Sequence, residues 1–152
     1  MEQAILKNLR TNHHILSKFI DGYSLEQLNK IPEGFRNNII WNIGHLIVAQ
    51  QGLIYRSSDL PIHVTKDMVD KYTNGTVPDG NTTQDEVDEI KGLLFSTLDQ
   101  LEKDLEEGIF KHYNERQTKT GFTISNLEDA LVFCSFHEGI HLGMILSLRK
   151  FL

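Results

Sequence analysis

Asn126-Leu127-Glu128-Asp129-Ala130-Leu131-Val132-Phe133-Cys134-Ser135-Phe136-His137-Glu138-Gly139-Ile140-His141-Leu142-Gly143-Met144-Ile145 is where the reading of this chain begins. The stretch lacks proline, and its apolar residues return at helical spacing. Just upstream, Ser125-Asn126-Leu127-Glu128 reads as a capping box, with hydroxyl and carboxylate satisfying reciprocal backbone donors. A helix opening there continues to about Lys150. Ala130, Cys134, His137, His141, Met144/Ile145 and Leu148 form the stripe it should bury. His137 and His141 are spaced i, i+4, so they stand one above the other and can reach one metal ion. Imidazoles inside an apolar stripe need polar partners. A shared metal supplies them; hydrogen-bonded core histidines are the plainer alternative.

Working back from this helix, three more are expected. The only prolines, Pro32, Pro61 and Pro78, fall before residue 80 and leave long stretches free for helix. The first helix covers about residues 3–20, with Ile5, Leu9, Leu16 and Phe19/Ile20 on one face. Ser24 can cap a short helix, Leu25–Asn29. The second runs over about 38–56, where Ile39, Ile43, Leu46, Ile47 and Ile54 recur at helical spacing. Thr83-Gln84-Asp85-Glu86 is a capping box that opens the third, about 83–107, striped by Val87, Ile90, Leu94, Leu98, Leu101 and Leu105. Residues 57–82 are polar and turn-rich, with a helical turn near Lys66–Tyr72. This link is longer than the ~2–8 residues of a helix hairpin, so the second and third helices can run parallel. In the 108–124 loop, Lys111–Gln117 and Phe122–Ile124 are candidate extended pieces. The expectation is one all-α domain over 1–152, a four-helix bundle.

Composition narrows the function. The chain has 152 residues and a formal net charge of −6, which argues against a nucleic-acid partner and against an anionic membrane surface. No apolar run approaches the ~20 residues of a spanning helix. The start, Met1-Glu2-Gln3-Ala4-Ile5-Leu6-Lys7, lacks the features of a signal peptide, and a reducing cytoplasm is expected. The single cysteine, Cys134, excludes an internal disulfide and a Cys-rich zinc cluster. Against it stand seven histidines, so any metal falls to imidazole and carboxylate.

His45 is the best candidate for a third ligand, because Trp41-Asn42-Ile43-Gly44-His45-Leu46-Ile47 surrounds it with apolar residues mid-helix. His63 and Asp67 are weaker alternatives, and His13, His14, His63 and His112 sit in polar or loop contexts that read as surface. Cys134, three residues before His137, is a further candidate ligand, with packing as its ordinary role. His137-Glu138-Gly139-Ile140-His141 matches H-E-x-x-H, in which the Glu serves a zinc protease as base. No His, Asp, Glu or Cys follows His141, so the downstream protease ligand is missing. Glu138 is still a candidate general base, although ~100° of helical rotation from His137 can turn it away from a metal. Asn42, one turn before His45, could orient substrate or water. Trp41 and Tyr55 are candidate pocket walls, with core packing the plainer role for Trp41.

Together, Trp41-x-x-x-His45-Leu46 and His137-Glu138-x-x-His141-x-Gly143 resemble the DinB-like metalloprotein superfamily over nearly the whole chain. That resemblance implies an up-down-down-up four-helix bundle, a metal on His45, His137 and His141, and a homodimer formed through helices. Many members continue the last motif with Gly-Gln; here Met144 follows Gly143. Characterised relatives include S-transferases that use bacillithiol, mycothiol or similar small thiols. Three imidazoles leave a divalent ion, zinc or nickel first, with an open position for a small-molecule substrate. Three readings follow: a thiol S-transferase in which the metal activates a thiolate, a hydrolase using metal-bound hydroxide, and a non-catalytic, metal-stabilised binding module.

Overall fold

Helix caps written into the sequence set the element boundaries. A computed structural model describes residues 2–152. The order is α1 (Glu2–Gly22), α2 (Leu25–Asn29), α3 (Ile39–Ile54), α4 (Lys66–Tyr72), α5 (Gln84–Glu107), β1 (Arg116–Gln117), β2 (Thr123–Ile124) and α6 (Leu127–Leu148). Tight helical turns follow α3 and α6 at Arg56–Ser58 and Arg149–Phe151. The fold is all-α; α1, α3, α5 and α6 are the four long helices expected. Ser24 with Gln27, and Thr83 with Glu86, form reciprocal capping boxes. At α6 the expected box shifts by one residue. Asn126 caps, accepting from the Asp129 amide at 2.9 Å, and the Asp129 carboxylate accepts from the Ser125 amide at 3.0 Å. Asn caps at least as well as Ser, and Asp129 supplies the acid that Glu128 was expected to give. β1 and β2 pair antiparallel, Arg116 opposite Ile124.

α1 packs on α5 and α6, and α3 packs on the same two. Side-chain pairs fix their directions. Arg10 meets Asp99 and Glu102 on α5, while Asp21, further along α1, meets Lys91, so α1 and α5 run oppositely. Asn8 with Ser135 and Asn12 with Glu138 show α1 and α6 running the same way. Asn42 meets His141 while His45 nears His137, so α3 opposes α6.

Two apolar clusters fill the interior. One gathers Leu16 and Ile20 of α1 with Ile145 and Leu148 of α6; the other gathers Leu9 of α1 with Ala130, Leu131 and Cys134 of α6. Between them, on both helices, lies a polar layer holding His13, His137, Glu138 and His141. α6 is also rotated relative to expectation. Its buried stripe is Ala130, Leu131, Cys134, Glu138, Ile145 and Leu148, and Met144 is exposed.

Leu127–Phe151 has a mean hydropathy of 1.4 over its best window, enough with its length to cross a membrane. The helix is apolar nearly all round because its core side is matched by an outer row of Val132, Phe136, Ile140 and Met144, four residues apart.

Candidate metal centre

α3 is buried on almost every side, so a histidine in its middle must find polar partners inside the protein. His45 Nδ1–H donates to the Tyr72 carbonyl at 2.8 Å; a carbonyl only accepts, which fixes the proton on Nδ1 and frees Nε2. Gly44 makes that contact reachable. A Cβ there would lie 2.6 Å from the Tyr72 ring, so only glycine lets α4 approach this closely. The Trp41 indole stacks on the His45 ring at 4.9 Å and 4°, while its Nε1–H donates to Thr76.

His141 is held by the same logic. Its Nδ1–H donates to Asn42 Oδ1 at 2.7 Å, and the Asn42 amide donates in turn to the Asn38 carbonyl and to Asn37. Its Nε2 then lies 3.0 Å from His137 Nε2. Phe133 stacks on His137 at 5.8 Å and 16°. One nitrogen from each of His45, His137 and His141 lies within 4.8 Å of the other two. A tetrahedral ion with bonds of ~2.0–2.1 Å sets its ligand nitrogens about 3.3 Å apart, so the cluster needs little adjustment.

The donor set fits a divalent metal on chemistry as well as distance. Burial pushes His141 down to about 3 and His137 to about 4, and repulsion from neighbouring imidazoles adds to both. Burial also lowers His45, against the pull of the Tyr72 carbonyl. All three rings are therefore neutral near pH 7, the ligating form. For His45 and His141, the second ring nitrogen is tied to an outer acceptor, the arrangement that orients metal-bound imidazoles.

In front of the histidines opens a chamber of about 820 Å³. Trp41 and Phe133 line it near the three histidines, and Phe122, Phe136 and Ile140 form an apolar wall. Arg56, Arg116 and Lys119 stand around it; among the described residues that line it there is no Asp or Glu.

Several sequence candidates fall outside this site. Glu138 is 4% exposed and faces α1, where it accepts from Asn12 and sits 2.8 Å from His13 Nε2; helical rotation has turned it off the metal side. His13, expected at the surface, is 3% exposed. Its Nδ1 faces the Leu94 carbonyl and its Nε2 faces the Glu138 carboxylate, so both ring nitrogens are engaged inside the core. The signal was present, since Leu9, His13, Leu16 and Ile20 share helical spacing. Asn42 does not face substrate; it is fully buried and orients His141. Tyr55 is no pocket wall: it is fully buried and donates to Asp104 at 2.7 Å. His63 lies 3.7 Å from that same Asp104 and Asp67 pairs with Lys71, and neither is in the group whose ligand atoms converge. Cys134 is buried between α6 and its neighbours, and burial pushes its thiol well up, with the Glu138 carboxylate adding; it is core, not ligand. Trp41 both packs in the core and lines the chamber.

No curated protein matches the chain. A family model for the DinB superfamily matches residues 8–145, spanning all four long helices and every histidine of the cluster. The chain belongs to the DinB superfamily.

Proposed function

We propose that this protein is a metal-dependent enzyme of the thiol S-transferase type, with His45, His137 and His141 holding zinc or nickel and a small thiol as co-substrate. The observation that carries this reading is the convergence of three neutral imidazoles on one side of a roomy chamber, a ligand set with space left for a reactant. When bound there, a divalent ion supplies Lewis acidity that favours the deprotonated form of a thiol or water.

The chain's own residues supply position and environment. Tyr72 and Asn42 orient His45 and His141 through their carbonyl oxygens. Trp41 and Phe133 hold imidazole planes by stacking and keep water from that side. The chamber wall also favours thiol over water as the nucleophile. Hydrolysis of the H-E-x-x-H kind relies on a carboxylate base beside the metal, and Glu138 is committed to His13 instead. A thiol, with an ordinary pKa near ~8.5, needs no such base.

The scaffold proposed is a single-domain, up-down-down-up four-helix bundle, supported by the pair directions along α1, α3, α5 and α6. We also propose a homodimer in a reducing cytoplasm, with no nucleic-acid or membrane partner. Exposed Val132, Met144 and Leu146 on α6, none of which lines the chamber, support the dimer, as do Gly139 and Gly143, which have open space where a Cβ would stand and let a second helix approach.

The test is turnover by the metal-loaded protein of an electrophile such as a chlorinated aromatic or an epoxide, with and without thiol. Thiol-dependent consumption lost in His141→Ala supports the transferase. Turnover without thiol replaces it by a hydrolase, and no turnover with any cellular thiol leaves a non-catalytic binding module.

A further inference from the structure

The chain carries an excess of acid, yet the chamber beside the histidines is lined by bases and by no acid among the described residues. Arg116 is anchored by one terminal nitrogen, which donates to the Gly52 carbonyl at 3.2 Å and to Ser57 Oγ at 3.3 Å. Its Nε and other terminal nitrogen have no protein acceptor among the described residues, and that edge suits a two-pronged contact with an oxyanion. Neither Arg56, Arg116 nor Lys119 forms an ion pair with a described carboxylate. Nearby acids are engaged elsewhere: Glu115 accepts from Ser125 at 2.8 Å, and Asp59 faces His112 at 3.6 Å. On the same chamber wall, Phe122, Phe133 and Phe136 form a mutually tilted aromatic cluster that reaches the histidines through Phe133, stacked on His137. Distance follows from the helix. Gly52, which anchors Arg116, lies seven residues past His45 on α3, and at 1.5 Å per residue that is ~10 Å.

We propose that the chamber takes an amphipathic anion, a carboxylate or similar oxyanion on an apolar body, with its charge on Arg116 and Arg56 and its reacting end at the histidines, ~10 Å along α3 from the Gly52 carbonyl that anchors Arg116. The inference rests on the reading of this chamber as the substrate side of the metal centre. It specifies the reactant as one that spans both ends and carries its charge away from the reacting atom. A net-negative protein that attracts an anion here does so through local charge, so binding should weaken as salt rises.

Calorimetric titration of the metal-loaded full chain with naphthoate and with its neutral isostere naphthamide tests this. Naphthoate should bind about tenfold more tightly than naphthamide, and added salt should erode only the naphthoate affinity. Arg116→Gln and Arg56→Gln should each reduce the preference by about threefold or more while leaving naphthamide affinity and metal content unchanged. Equal affinities, no binding of either probe, or a preference untouched by both substitutions overturns the proposal; an untouched preference would mean carboxylate binding at the metal alone. The same titration with mercaptooctanoate and mercaptooctanol locates the charge. An arginine-dependent preference for the mercapto acid puts it on the thiol, and its absence beside a positive naphthoate result puts it on the acceptor. Failure of the transferase reading looks different: thiol turnover is absent while the arginine-dependent preference stays.

Discussion

Asn42 is fully buried one turn from His45, and its amide is used at both ends: the oxygen accepts from His141, and the nitrogen donates to the Asn38 carbonyl and to Asn37. The His141 contact sets which nitrogen faces His137 and the chamber. Asn42→Asp keeps an acceptor for His141, whereas Asn42→Leu removes it at similar size. Metal affinity, measured by competition with a chromophoric chelator, should fall about 10–100-fold in Asn42→Leu and much less in Asn42→Asp. Equal losses in both would contradict the orienting role. The histidines also couple the stability of the chain to acid. Burial and mutual repulsion hold His141 at about 3 and His137 at about 4 in the folded chain, against ~6.5 for an unfolded one. Between those limits the unfolded state binds more protons, so these groups make chelator-stripped protein lose stability as pH falls from about 6.5 toward 4. His141→Asn lacks one such group. Denaturant melts at pH 7 and pH 5 should show the stability of wild type relative to His141→Asn shrinking in acid; a difference that grows in acid is the opposite result.

At the scale of the element, α6 presents two chemically different sides. One directs His137 and His141 to the chamber, and the other buries Glu138 against His13 of α1. Removing one partner of a buried pair strands the other. Glu138→Ala should therefore lower unfolding free energy by about 3 kcal/mol, while bound metal per chain stays at the wild-type level. Loss of metal with intact stability would place Glu138 at the centre after all. This two-sidedness also marks what the sequence could reveal. The i, i+4 pair was legible because its geometry is local to one helix, and the caps at Ser24 and Thr83 were legible for the same reason. How far α6 rotates was not, because it depends on α1 accepting Glu138 across more than a hundred residues of chain. His13 was misplaced by its polar neighbours, although its spacing from Leu9 and Leu16 fits the buried stripe. The Gly44 contact with Tyr72 and the cationic wall of Arg56 and Arg116 were also out of reach, since loops bring them to α3.

For the whole molecule, the polar layer between two apolar clusters places the three histidines at mid-height, with the chamber on one side and exposed apolar surface of α6 beside it. Val132 and Leu146 belong to the exposed apolar surface of α6 and do not line the chamber. If that surface is the dimer contact, Val132→Glu with Leu146→Glu should convert the protein to a monomer by light scattering while its metal content holds; a doubly substituted dimer would move the contact elsewhere. The proposed function depends on one ion held by His45, His137 and His141. The most direct measurement is elemental analysis of purified wild type, His45→Ala, His137→Ala, His141→Ala and His63→Ala. Wild type and His63→Ala should each carry about one divalent ion per chain, and the other three variants should lose nearly all of it. Wild-type metal content in His45→Ala would contradict that assignment.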